Sequence, residues 1–204
     1  MQQKEKNELS REKILSAAIA EFGKKGYDGG SVNDMCAENK ISKGLIYHYF
    51  GSKEALFCAC LRRCFGKMEA CLRAALPEDK GLKAGLRAFT GTRRAFFDEN
   101  APERALFFQT LLNPPKALYD KVKEAKRSLD DFTVQYFGRL LQNARLRKGV
   151  TGEDALGYLV SFEEMFHLSM RQKEEEPDNV AGKHEELLEK WLEILFYGVI
   201  EKEQ

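Results

Sequence analysis

The chain has 204 residues with 43% hydrophobic and 32% charged content, which excludes a disordered chain and fits a folded globular one. Its formal net charge of +1 excludes attraction to nucleic acid by overall charge, so any basic surface must be local. The opening MQQKEKNELS lacks the apolar core of a signal peptide and no apolar run is long enough to cross a bilayer, so the expected location is cytoplasmic, with no membrane partner.

Helical periodicity runs along almost the whole chain and strand alternation persists nowhere, so an all-α fold is expected. A first helix spans about Leu9 to Lys25, with Ile14, Ala17, Ala18 and Phe22 on one face and Gly26 as its stop. After a turn at Gly29 and Gly30, Ser31 caps a short second helix, Val32 to Glu38, with Asp34 as capping-box partner. Asn39 and Lys40 turn the chain, and Ser42 caps a third helix, Lys43 to Tyr49. Gly51 breaks it, and Ser52 caps a fourth helix, with Glu54 in its first turn, that runs to about Leu76. A fifth helix starts at Pro77 and ends near Asn100; a sixth runs from Pro102 to just before Pro114. Pro114 and Pro115 open a long seventh ending near Lys148 and Gly149, and an eighth covers Glu153 to about Lys173. EEEPDN reads as a loop, and a last helix spans about Ala181 to Lys202. About nine helices are expected: three short ones, a connecting one, and a bundle of longer ones.

The stretch ISKGLIYHYFGSKEALF, Ile41 to Phe57, carries the most chemistry. Gly44 in a helix costs about 1 kcal/mol relative to Ala, so something other than helix stability selects it. Two short helices joined by a tight turn and packed on a preceding helix describe a helix-turn-helix. On the third helix Ile46 and Phe50 point inward, while Lys43, Gly44, Tyr47 and His48 share the outward side. A cation, a bare backbone, a phenol and an imidazole there suit phosphates and base edges. Ser31 and Lys53 lie at the starts of flanking helices, where N-termini attract phosphate.

The segment SVNDMCAENKISKGLIYHYFGSKEALF closely resembles the DNA-binding signature of TetR-type (TetR/AcrR) transcriptional regulators. The resemblance covers about the first quarter of the chain by motif, and the rest by length and helix order. It implies a helix-turn-helix DNA-binding domain over residues 1–52 and a helical ligand-binding and dimerisation domain over 53–204. It further implies a third helix in the major groove, with Ser31, Ser42, Lys43, Gly44, Leu45, Tyr47, His48, Tyr49 and Lys53 at double-stranded DNA. Leu45 stands where the family often has Thr, so a hydroxyl contact is exchanged for one suited to a thymine methyl.

The larger part is rich in aromatics at helical spacing. Bundles hold ligands between their helices, and the resemblance implies a small molecule there, which the mix of residues below suggests is amphipathic or aromatic. Phe89, Phe96, Phe108, Phe132, Tyr136, Phe162 and Phe166 are the apolar candidates to line such a site. Arg93, Gln109, Glu163 and His167 are the polar candidates to orient its occupant. Leu188, Trp191, Leu192, Leu195 and Val199 form one stripe on the last helix, and Leu159, Phe162 and Phe166 offer apolar surface on the eighth. The resemblance implies that these two helices pair with their copies in a homodimer, which would read a near-palindromic operator. It also implies a repressor released when ligand binds.

Other classes compete. Cys36, Cys58, Cys60, Cys64 and Cys71 are odd in number and include no CxxC pair, which argues for free thiols and not a structural zinc site. Cys60, Cys64 and Cys71 fall on one side of the fourth helix, the arrangement a redox- or metal-responsive regulator would use. Glu164 and His167 have the Glu-x-x-His spacing of di-iron bundles, but no second pair occurs, and no catalytic motif is found. No enzyme activity, metal or cofactor is expected. A helical adaptor that no longer binds DNA is the third alternative.

Overall fold

The computed structural model describes residues 2–77, 81–171 and 177–199, with side chains described for all of these except 2–4, 177–182 and 197–199. Among the described residues the chain forms nine α-helices: α1 (Gln2–Gly29), α2 (Val32–Asn39), α3 (Lys43–Phe50), α4 (Lys53–Ala75), α5 (Leu82–Glu99), α6 (Ala101–Leu112), α7 (Tyr119–Gln142), α8 (Gly152–Arg171) and α9 (Pro177–Val199). They group into two compact units, one of Met1–Phe65 with Asn100–Lys126, the other of Gly66–Glu99 with Arg127–Gln204.

The short helices begin and end where local chemistry sets them. Ser31 and Ser42 accept from the backbone N–H groups of Asp34 and Leu45, both at 3.2 Å, and so cap α2 and α3. Between them Lys40 takes the left-handed conformation at φ 52°. Helical hydrogen bonding extends α1 to Gly29, but the helix breaks at Gly26, whose φ is 70°, as the sequence leads one to expect.

Prolines set other limits than expected. Pro77 does not open α5, which starts at Leu82; it follows the end of α4, because a residue before proline is pushed out of the helical region. Pro114 and Pro115 give a bend and a single 3-10 turn, Lys116–Leu118, before α7 starts at Tyr119. That helix ends at Gln142, six residues short of Lys148, and Gly149 takes φ 87° in the turn beyond. Pro177 opens α9, a position that suits a residue with no N–H to donate, so the helix includes part of the expected EEEPDN loop. Residues 172–176 of that region lie outside the described residues.

In the first unit Ile14, Ala18, Phe22, Met35, Ile46, Leu56, Phe57 and Leu61 are buried together with α6. The close approach of α6 to α1 depends on Gly23: a Cβ there would stand 2.9 Å from the Leu106 backbone nitrogen. Phe22 meets Phe57 edge-on at 5.1 Å, and Phe65 meets Phe107 edge-on at 5.8 Å. In the second unit Phe89, Phe97, Leu129, Tyr136, Phe137, Phe166 and Leu192 are buried. Gly85 admits the Tyr136 hydroxyl and Leu140, since a Cβ there would lie 3.0 Å from the one and 2.4 Å from the other.

Candidate functional site

The outward side of α3 is assembled as its spacing requires. Lys43, Gly44 and His48 are exposed, and Tyr47 keeps 39% of its surface in solvent, while Ile46 is buried beneath them. A Cβ on Gly44 would meet nothing within 4 Å, so no neighbour within the chain demands glycine there. Ser42 is exposed at the start of this face. Leu45 and Tyr49 are half-buried and lie on the opposite flank of α3. The Tyr49 hydroxyl donates to Asn7 Oδ1 at 3.2 Å.

Ser31 and Lys53 are both engaged within the unit. The Ser31 backbone N–H donates to Glu21 Oε1 at 2.9 Å, and its hydroxyl oxygen accepts from Asp34, which leaves its O–H to donate elsewhere. Lys25 joins the buried Glu21 to Asp34, at 2.9 and 2.8 Å. Its hydrogen bond holds the Asp34 carboxyl below the ordinary carboxylate range, and those to Asp34 and Glu21 raise Lys25 itself. Lys53 donates to the Asp28 carbonyl at 3.3 Å and lies 4.8 Å from the centre of the Tyr27 ring. Next to it Glu54 pairs with Lys121, and that bond raises the lysine. Ser52 accepts from the Ala55 N–H at 3.0 Å and caps α4.

The residues expected around a ligand separate. Phe108 and Gln109 belong to the first unit, where Phe108 is buried against Phe107 at 5.2 Å. The Gln109 amide sits against the break in α1, 2.8 Å from where a Gly26 Cβ would lie. Phe89, Arg93, Phe96, Phe132, Tyr136, Phe162, Glu163, Phe166 and His167 belong to the second. There Phe89 and Phe132 stack on Tyr136 at 6.4 and 6.3 Å, and the guanidinium of Arg73 lies 4.3 Å from the Phe132 ring centre. Arg93 is buried between Phe89 and Phe97 and is engaged by Glu185 on α9. His167 stacks on the buried His184 at 5.8 Å. Two open grooves occur in this unit, one of about 760 Å³ along Gly138, Leu141, Leu156 and Val160, the other of about 590 Å³ along Tyr158, Phe162, Met165, Trp191 and Ile194. Among the described residues, Phe162 is the expected ligand residue that lines one of these two grooves.

Leu159, Phe162, Phe166, Leu188, Leu192 and Leu195, expected at a dimer interface, are buried in the chain's own packing, and Trp191 is half-buried against Phe166 at 5.4 Å. Val199 lies in α9, but its side chain is outside the described residues. What α8 and α9 leave exposed is a different set: Tyr158, Val160, Met165, Leu168 and Ile194.

The cysteines of α4 do not form one accessible face. Cys60 and Cys64 are buried, with Cys64 donating to the Glu103 carbonyl at 3.4 Å, while Cys71 is half-exposed. Burial pushes the Cys58 and Cys60 thiols up, away from the thiolate that redox chemistry requires. Among the described residues no group of three or more His, Cys, Asp or Glu is placed to hold a metal ion, and no helix is long and apolar enough to cross a membrane.

Residues 14–60 match the family described as bacterial regulatory proteins, tetR family. The HTH-type transcriptional repressor NicS of Pseudomonas putida is 37% identical over 83 residues, 39% of this chain and 39% of that protein. The biofilm operon icaADBC negative transcriptional regulator IcaR of Staphylococcus epidermidis is 28% identical over 132 residues, 62% of this chain and 69% of its own length. The chain thus spans well under half of the first relative and about two thirds of the second. A tetR family transcription regulator from Shewanella superposes with a TM-score of 0.65 at 16% identity, over 95% of this chain and 99% of that one. FadR of Bacillus subtilis, solved with stearoyl-CoA, gives 0.64 at 16% identity over 86% and 96%. These structures share the fold across nearly the whole chain, and the sequence relatives share the helix-turn-helix. By that helix-turn-helix and that fold, the chain is similar to the TetR-type helix-turn-helix regulators, with the family's own signature at residues 14–60.

Proposed function

We propose that the chain is a transcriptional repressor that reads a near-palindromic duplex as a homodimer and leaves it when a small molecule binds. The observation that carries the DNA reading is the outward side of α3, where Lys43, Gly44, Tyr47 and His48 stand together over the buried Ile46. Gly44 gives close backbone approach, Lys43 offers a phosphate charge, and Tyr47 and His48 reach base edges or phosphates. Ser42 and the free O–H of Ser31 suit phosphate at the starts of α3 and α2. Leu45 and Tyr49 stand off this face, and Lys53, which gives one donor to the Asp28 carbonyl, keeps others for phosphate. In this reading residues 1–52 carry the DNA contacts and 53–204 the regulation, in the cytoplasm.

For the homodimer, the supporting observation is the apolar set that α8 and α9 leave open, with Tyr158 56% and Ile194 62% exposed. A second copy across that face would set the two α3 helices at a fixed half-site spacing. For the ligand, the support is the aromatic interior of the second unit and the likeness of fold to FadR, which holds stearoyl-CoA. A ligand that prefers the conformation with mismatched spacing shifts the balance toward release, by about 1–3 kcal/mol per coupling event.

The test is selection of sites from a random duplex pool, repeated at two salt concentrations. A recovered near-palindrome, bound more weakly as salt rises, is the expected result. No enriched site from a folded dimer freed of carried-through ligand would overturn the reading.

A further inference from the structure

We propose that Asn7 and Arg11, on the amino-terminal turns of α1, are positioning residues for α3, and that Tyr49 serves this brace and does not read DNA. The inference deepens the DNA-binding reading and rests on it for its functional consequence.

The sequence supplies the alignment. Asn7, Arg11, Leu15, Ala18 and Phe22 follow one another at spacings of four, four, three and four, and so share one stripe of α1. The last three are buried in the core of the first unit. Beyond the core the same stripe turns polar, and there it meets the end of α3. The Tyr49 hydroxyl donates to Asn7 Oδ1 at 3.2 Å, and the Arg11 guanidinium stands 5.4 Å from the centre of the Phe50 ring. Two contacts of different kinds, one turn apart on α1, thus hold two consecutive residues of α3.

The geometry of α3 gives this a reason. At about 100° per residue, Tyr49 falls on the flank away from Tyr47 and Gly44, which agrees with its half-burial beside the exposed His48. The helix is eight residues long, too short to persist alone. Ser42 fixes its start and Ile46 anchors its middle, but its end runs into Gly51 at φ 74°. A tether at Tyr49 and Phe50 fixes that end, and with it the tilt at which Lys43, Tyr47 and His48 are presented.

The test compares the full-length chain with Asn7→Ala, Tyr49→Phe and the double variant. Amide hydrogen exchange at residues 47–50 is read first, because it needs no DNA. Each single change is expected to speed exchange there by about three- to tenfold, and the double no more than either, since both remove one hydrogen bond. Unchanged exchange in the single variants, or additive acceleration in the double, would overturn the brace. The second arm measures affinity for a duplex recovered by the selection above. Equal, non-additive losses are expected, with Arg11→Ala leaving the salt slope unchanged. A fall of about 1 in that slope would put Arg11 on a phosphate and overturn its role as a brace. An additional loss from Tyr49→Phe in the Asn7→Ala background would put Tyr49 on the DNA. A wild-type chain that recovers no duplex sinks the DNA reading, and the exchange arm still decides the brace.

Discussion

Arg93 on α5 donates twice to Glu185 on α9, Nε to Oε2 at 3.1 Å and Nη2 to Oε1 at 2.9 Å, and both side chains are buried. A third guanidinium contact goes to the Met68 sulfur at 3.7 Å. Burial alone would push the Glu185 carboxyl up; the Arg93 charge and the bonds from His184 and Arg93 outweigh it and bring it down to about 2. A buried pair of this kind stabilises little against well-packed apolar residues, but losing one partner leaves a charge stranded. Glu185→Ala is therefore expected to cost about 3–5 kcal/mol in urea denaturation. Joint replacement by Arg93→Met and Glu185→Leu should recover most of that loss. A Glu185→Ala chain as stable as wild type would show the pair to be dispensable.

His184 adds a pH dependence of opposite origin. Burial lowers this imidazole from its ordinary 6.5, and the hydrogen bond with Glu185 at 3.1 Å only partly offsets it. Arg93 opposes protonation, Glu163 and Glu185 favour it, and His167 stacks on the ring. The folded state thus holds the neutral ring, and below 6.5 the unfolded state takes up the proton first. Stability from this group is present above 6.5 and declines as pH falls below it. The contribution of Glu185 is lost in a lower window, from 4.5 down through about 2. Thermal melts at about pH 7.5 and about pH 5.5 should separate in the wild type and draw together in His184→Leu. An equal pH slope in both proteins would assign the effect to other groups.

The thiols predict a labelling order. Cys36 and Cys71 are half-exposed, whereas Cys58, Cys60 and Cys64 are buried. A thiol-reactive dye at neutral pH should therefore modify Cys36 and Cys71 in the native protein and reach the other three only after unfolding. Peroxide should leave duplex binding unchanged, and a peroxide-sensitive complex restored by Cys71→Ser would revive the redox alternative.

Two glycines should respond in opposite ways. Gly44→Ala puts a methyl group into open space on α3, so it should stabilise the free chain by about 1 kcal/mol while weakening its hold on duplex. Gly23→Ala drives a methyl against the α6 backbone and should destabilise by about 1–3 kcal/mol. Chemical denaturation of both variants, with a binding titration of the first, checks the pair.

Short-range chemistry was legible in the sequence, and long-range pairing was not. The caps at Ser31 and Ser42 and the outward set on α3 depend on residues within five positions of one another, and spacing reports such relations directly. Arg93 and Glu185 are 92 residues apart, so spacing gave no sign of their pairing. Amphipathic pattern measures how much apolar surface a helix must cover but not what covers it. That is why Leu159, Leu188 and Leu192 read as interface and are found buried within the chain, while Tyr158, Met165 and Ile194 stay exposed. Gln109 reads as a ligand group because it is a polar residue among aromatics, and spacing gave no sign that it abuts the Gly26 break. A first helix that starts at Leu9 leaves Asn7 outside it, about two turns short of the observed start at Gln2.

The first unit is discontinuous in sequence: it leaves at Phe65 and is completed only by Asn100–Lys126. A ribosome therefore delivers α1, α2 and α3 well before the α6 that packs at Gly23. Chains of this kind ordinarily fold from the amino terminus as they emerge, but here the emerging head waits for more than thirty intervening residues, about two to seven seconds at ordinary elongation rates of roughly 5–20 residues per second. Until then the surface of α1 around Gly23 is open to chaperones and proteases. A nascent chain stalled soon after Phe65 should be degraded readily, whereas one stalled with Lys126 clear of the exit tunnel should resist.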